Sequence, residues 1–288
     1  MGIKESTQQV IMTESQHLSR HNFYEKRYQR AFSKALRTQY RTALSQYQQN
    51  APIAPPSEPI QAVYRTMYKF IMAREGKLIW NTYVAVPRGR KDLIDDLINA
   101  MAPNGSSDML PFWSNMMDDY LLIYIAERIR KVTETTAKRI MGLIEQGGTR
   151  EEIIERIRLE DLNPRALTIA RTETTNAMSR SQTIALESSG ETWEKSWVNV
   201  EDDKVRPAHA AMNRNSFIEI NDNFIVGGEP LDYPGSMNEG ASLGNVANCR
   251  CFMDYRRVGG NSGFGRIKNR ISIIKEGNVK IDTDNIIR

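Results

Sequence analysis

Residues 17–49, HLSRHNFYEKRYQRAFSKALRTQYRTALSQYQQ, contain neither glycine nor proline, and their pattern sets the class of the N-terminal half. Arg27, Arg30, Lys34, Arg37 and Arg41 are spaced 3, 4, 3 and 4 apart, which puts them on one stripe of a helix. Tyr24, Tyr28, Phe32, Leu36, Tyr40 and Tyr47 fall nearly opposite at about 100° per residue. Seven basic residues stand against one acidic over 17–50, so this segment carries +6 where the whole 288-residue chain carries +4. A solvated face is one meaning of such a stripe, and a docking surface for an acidic protein or for nucleic-acid phosphates is the other. The aromatic face opposite favours a protein partner, because duplex backbone offers it nothing apolar.

Working outward, residues 1–50 form a basic amphipathic arm. APIAPPSEP at 51–59 holds four prolines in nine positions and makes a stiff linker and a first boundary. Residues 60–148 form a second helical region. It comprises a helix from Ile60 to about Arg74, an alternating strand or extended arm over Leu78–Val86, and a loop at 103–107. A long helix follows over Asp108–Gln146, with Trp113, Met116, Met117, Tyr120, Leu121, Tyr124, Ile125 and Ile129 as its apolar face. Gly147-Gly148 stops that helix. Thr149-Arg-Glu-Glu152 then has the form of a capping box opening a helix to about Leu159, and Asn163-Pro164 opens another as N-cap and first helical residue, closed by Gly190. After Gly190, short apolar runs separated by Asn, Asp, Gly and Pro predict strands and ordered loops to residue 256. Residues 257–288 make a basic tail rich in Gly and Asn. The fold class is α+β: an extended, mostly helical N-terminal half followed by a small strand-and-loop domain.

Composition excludes several classes. No run approaches the ~20 apolar residues of a membrane span, so no membrane role is expected. MGIKESTQQV has no apolar stretch of the signal-peptide kind. Two cysteines, Cys249 and Cys251, rule out a disulfide framework and suit a reducing cytosol.

Polar residues cluster in three places: Ala170-Arg171-Thr172-Glu173-Thr174 with Asn176 following; Trp197 leading to Asp203-Lys-Val-Arg206-Pro-Ala-His209; and Asn248-Cys249-Arg250-Cys251 after Tyr233-Pro234-Gly235. Arg171 and Glu173 are two apart and cannot pair with each other, so each is expected to anchor a separate part of the domain that follows.

The order ARTET, a Trp followed by D-x-x-R-x-x-H, then F, then YPG, then NCRC resembles the phage head morphogenesis family, the minor head proteins similar to the F protein of phage Mu and its SPP1 counterpart. The resemblance covers about residues 165–255, within a domain placed at 149–256. Where the family usually carries Asp-Gly after the histidine, this chain has Asn213-Arg214-Asn215, whose asparagines suit a turn with positive φ.

The resemblance implies a non-enzymatic minor capsid protein of a tailed bacteriophage. It implies a protein that joins the portal during procapsid assembly, with the major capsid or scaffolding protein and genomic DNA as further partners, and that aids DNA packaging or delivery. The expected location is the virion, at the capsid interior or portal vertex, and the host cytoplasm during assembly. On that reading Arg171, Thr172, Glu173, Trp197, Asp203, Arg206, His209, Pro234, Asn248, Cys249, Arg250 and Cys251 are structural, and Arg27, Arg30, Lys34, Arg37 and Arg41 meet portal or DNA.

Two chemical rivals use the same residues. Asp203, His209, Cys249 and Cys251 are a plausible zinc set for a hydrolase, although CxC with a distant His is not a common zinc spacing. Arg171 suits the phosphates of a dinucleotide in an ADP-ribosyltransferase-like enzyme, but no Glu-x-Glu follows: Glu219, Glu229 and Glu239 stand isolated. The preferred expectation is no cofactor, with His209 hydrogen-bonded, the cysteines acting as small buried apolar groups, and Arg206 and Asp203 bracing their loop.

Overall fold

A computed structural model describes residues 9–10, 13–85, 111–237 and 240–258, with side chains in the helix starting at 111 described from 124 onward. The loop expected at 103–107, the apolar residues Trp113 to Leu121 and all but the first two residues of the basic tail lie outside the described residues.

Helix α1 spans Glu14–Gln48 and opens on a capping box, the Thr13 hydroxyl accepting from the Gln16 amide at 3.2 Å while Gln16 reaches back to the Thr13 amide. Helix α2 spans Glu58–Ile79. Contacts at Gln39–Pro56, Phe32–Tyr64, Tyr28–Thr66 and Tyr24–Glu75 run in opposite chain directions, so the two helices form an antiparallel hairpin. The proline-rich stretch between them is its turn, pinned by Gln46, whose side chain accepts from the Ala54 amide at 2.9 Å and donates to the Ala54 carbonyl at 3.2 Å. Tyr24, Tyr28, Phe32, Leu36 and Tyr40 are all buried. The aromatic face of α1 is therefore covered by the chain itself and awaits no external partner, which removes the ground for preferring a protein over DNA at the opposite stripe.

The strand or extended arm expected at Leu78–Val86 is not one: α2 runs to Ile79 and continues as a π-helical segment, Trp80–Ala85. Tyr83 projects from it onto Trp193 and Tyr255, at ring distances of 6.1 and 5.9 Å, which is what holds the chain helical there.

Helix α3 (Pro111–Glu145), helix α4 (Arg150–Leu159) and helix α5 (Asn163–Glu187) follow. The capping box of α4 is present, with the Glu152 amide donating to Thr149 at 3.2 Å and the Glu152 carboxylate accepting from the Thr149 amide at 2.8 Å. The start of α5 is shifted by one: Leu162 is the N-cap and Asn163 is already helical, its amide bound by the Asp161 carboxylate and its side chain accepting from Ser33.

Helix α5 is the axis of the molecule. Apart from Arg180, every residue from Thr172 to Leu186 is buried, although many are Thr, Ser, Asn or Gln. A polar helix survives such burial only if its side chains find partners, and Thr172, Glu173, Thr175, Asn176, Ser181 and Gln182 find them in α1, α2, α3 and the C-terminal domain.

That domain is built on strand β2 (Trp193–Val198) paired antiparallel with β6 (Phe252–Arg257), Trp193 opposite Arg257 and Val198 opposite Phe252. Strand β1 (Gln9–Val10) flanks β6 and β3 (Ile218–Glu219) flanks β2, giving the order β1-β6-β2-β3. A hairpin of β4 (Phe224–Val226) and β5 (Glu229–Leu231) turns at Gly227-Gly228, both with positive φ. Two single-turn helices, α6 (Pro207–Ala210) and α7 (Leu243–Val246), lie in the loops. The result is α+β, and one hydrophobic core runs from Tyr24 on α1 to Tyr255 on β6. Among the described residues, no helix is long and apolar enough to cross a membrane.

Candidate functional site

The polar face of α5 meets the Asn248–Cys251 loop residue by residue. Thr172 accepts from the Asn248 amide at 3.0 Å while its own hydroxyl donates to the Thr168 carbonyl. Thr175 donates to the Cys249 carbonyl, which leaves its oxygen to accept from His21 Nε2 at 2.9 Å. Asn176 donates to the Gly235 carbonyl at 2.8 Å. Gly235 follows Pro234 in the Tyr233–Ser236 turn, has φ +84°, and sits so close to α5 that a Cβ would lie 2.8 Å from the Asn176 amide nitrogen. The YPG sequence thus supplies a proline for the turn and the one residue type that fits its second corner.

Arg171 and Glu173 point away from this loop. Arg171 makes two hydrogen bonds to Glu25 of α1, at 2.7 and 3.2 Å. Glu173, fully buried, takes the guanidinium of Arg128 from α3 and the hydroxyls of Tyr64 and Tyr68 from α2, at 3.2 and 2.6 Å. The expectation that each anchors the domain that follows is corrected: both tie α5 to the preceding helices. Their two-residue separation does send them to different faces, but both faces are covered by the N-terminal half.

The loop itself is clamped from several sides. Asn248 adopts φ 59°, the left-handed conformation that asparagine tolerates. Arg250 reaches Asp202 at 2.6 Å and Arg206 donates to the Ala247 carbonyl. His17 donates to the Arg250 carbonyl at 3.2 Å and stacks on Phe252 with 4.5 Å between ring centres. The chain has three histidines, and all three lie at this loop.

His209, buried on α6, stands with its Nδ1 3.6 Å from Cys249 Sγ and 3.5 Å from Cys251 Sγ. Trp197 packs edge-on against the ring at 5.3 Å. On its far side Nε2 meets Asn245 Oδ1 at 2.8 Å. Asn245 is oriented by its own donations to the Val226 carbonyl at 2.9 Å and to Glu229 Oε2 at 3.0 Å, so its oxygen must accept from His209. The thiols are unequal. A hydrogen bond from Cys249 holds Cys251 below the usual thiol range against burial, with His209 assisting, while its bond to Cys251 and burial push Cys249 up. Burial pulls the His209 imidazole down, but the Cys251 sulfur and the hydrogen bond to Asn245 push it up, and the net shift is upward.

Asp203 is exposed and is not among the groups gathered here; its neighbour Asp202 does the bracing, through Arg250 and the Lys204 amide. Arg171 is occupied by Glu25, so the five-residue constellation of the enzyme alternatives does not converge. The turn at Asn213-Arg214-Asn215 uses no positive φ: among the described residues, only Asn50 and Asn248 of the non-glycines have one. The Asn215 amide donates to the Asn213 side chain at 2.9 Å instead, and Arg214 pairs with Asp254. Arg27, Arg30, Lys34, Arg37 and Arg41 are all exposed, Arg27 lying over Phe70 at 4.7 Å. Sequence reasoning passed over His17, His21, Arg128 and Asn245. The histidines were within reach, since positions 17, 21, 24 and 28 continue the buried stripe of α1.

A long-helix platform is locked through one buried polar helix to a small antiparallel domain. Residues 134–253 match the model of the family described as Phage Mu protein F like protein, which supports the phage head morphogenesis family. The match begins inside α3, upstream of the expected boundary at 149, and covers less than half of the chain. No curated protein and no solved structure matches.

Proposed function

We propose that this protein is a minor head protein of a tailed bacteriophage, resident in the virion, that joins the portal during procapsid assembly and aids DNA packaging or delivery without turning over a substrate. The family match over residues 134–253 carries the reading. It is supported by the use the chain makes of its motif residues: Thr172, Glu173, the Asn248 amide and Arg250 are engaged in holding helices to one another and to loops. The cysteines beside His209 are both 3% exposed, which leaves little sulfur surface for a substrate to meet.

The exposed basic stripe of α1 is the docking face in this proposal. A portal ring with an acidic flank and packaged DNA offer it the same charge complementarity. A photo-crosslinking residue placed at Arg37 in assembling procapsids tests the assignment. Crosslinks to portal are expected; crosslinks confined to the major capsid protein would overturn the portal assignment.

A further inference from the structure

We propose that His209, Cys249 and Cys251 form a zinc site, holding one thiophilic divalent cation through His209 Nδ1 and the two sulfurs. The first argument is the triangle of donors. With Zn–N about 2.05 Å and Zn–S about 2.3 Å at tetrahedral angles, each nitrogen–sulfur edge is about 3.5–3.6 Å. The two edges in this protein are 3.5 and 3.6 Å.

The second argument is hydrogen-bond capacity. Because Asn245 Oδ1 must accept from Nε2, the other ring nitrogen directs its single lone pair at two sulfurs at once. One lone pair accepts one thiol proton well, which leaves Cys249 only Cys251 to bond; a cation serves all three donors directly. Adjacent strand positions separated by one residue share a face, yet these sulfurs meet the same atom only because the loop is bent at Asn248 and its carbonyls are held by Thr175 and His17 before β6 begins at Phe252.

The third argument is the support behind the histidine. Metal-binding imidazoles characteristically donate their other N–H to a fixed acceptor, which sets the ring's orientation. Here Asn245 is that acceptor and Glu229, itself bound by the Ser242 amide at 2.9 Å, fixes Asn245. Two sulfurs and an imidazole with no carboxylate select zinc over magnesium or calcium. Asn245 is a positioning residue, and Asp203 has no part in the site. The inference stands independently of the head-protein reading.

Cobalt(II) and zinc(II) titrations of the full chain, reduced and metal-stripped, test it. The expected result is one equivalent of cobalt with intense near-ultraviolet thiolate-to-cobalt bands and visible bands of a tetrahedral ion, both abolished by one equivalent of zinc. Cys249→Ser and Cys251→Ser each reduce the thiolate bands. Asn245→Ala keeps the stoichiometry but weakens zinc roughly 10–100-fold, and Asp203→Asn binds as the unaltered chain does. Should the serine variants fail to fold, the unaltered chain's cobalt spectrum and Asn245→Ala decide. Absence of thiolate bands from the folded chain, or unchanged zinc affinity in Asn245→Ala, overturns the proposal.

Discussion

Glu173 places a carboxylate in the core, and only Arg128, Tyr64 and Tyr68 make that tolerable. Removing one partner of a buried pair leaves the other charge uncompensated, at a cost of roughly 3–5 kcal/mol. Glu173→Ala is therefore expected to lower the urea midpoint by that equivalent at unchanged slope. Gly235→Ala combines a left-handed φ with a Cβ 2.8 Å from backbone, and a loss of roughly 1–3 kcal/mol is expected in the same assay. The histidines impose a pH dependence. Burial, followed by the nearby Arg171 and Arg250 guanidinium groups, holds His21 down to about 3, and burial with His21 and Arg20 lowers His17 well below its usual value. Below pH ~6.5 the unfolded chain protonates these rings and the folded one does not, so stability falls with pH, by roughly 1.4 kcal/mol per unit for a single such group. In the metal-free chain His209 is shifted upward and acts in the opposite sense. Urea midpoints from pH 7.5 to 4.5 should fall, and His21→Gln should make that fall shallower.

Element by element, what was legible followed from local pattern. Helix α1 and the capping box of α4 were readable because periodicity and capping act within a few residues. Leu78–Val86 misled because a short apolar run fits strand and helix equally, and Tyr83 chose between them through Trp193 and Tyr255, more than a hundred positions away. The motif residues could be named from their order, but not paired: nothing near Thr172 shows that its partner is the amide of Asn248, and nothing near His209 shows that Asn245 orients it. The aromatic face of α1 was read correctly as a packing surface and assigned to the wrong partner, since its cover, α2, comes from the same chain. The basic stripe opposite is exposed and free of the core, so reversing Arg30, Lys34, Arg37 and Arg41 to Glu is expected to change stability by only about 0.5 kcal/mol per site while lowering incorporation into procapsids. Binding of the full chain to duplex DNA across a salt series separates the partners: a steep decline with salt marks phosphate contact.

As a whole molecule, the protein is held together across the family boundary. Helix α5 lies inside the matched segment, yet Arg171, Glu173 and Ser181 are bound by Glu25, Arg128 with Tyr64 and Tyr68, and the Met72 carbonyl. A fragment limited to 134–253 would expose those groups together with the apolar surface that α1 and α2 cover. It is expected to lack the cooperative unfolding transition of the full chain by circular dichroism; a fragment that melts as sharply as the full chain would show the N-terminal helices to be an appendage. In the proposed role the interlock matters, because a protein built into a particle must arrive as one body and stay so. Quantitative mass spectrometry of purified procapsids tests this role most directly. The chain should be found in a fixed ratio to portal and should persist through a high-salt wash; its absence from procapsids and mature particles alike would contradict the account.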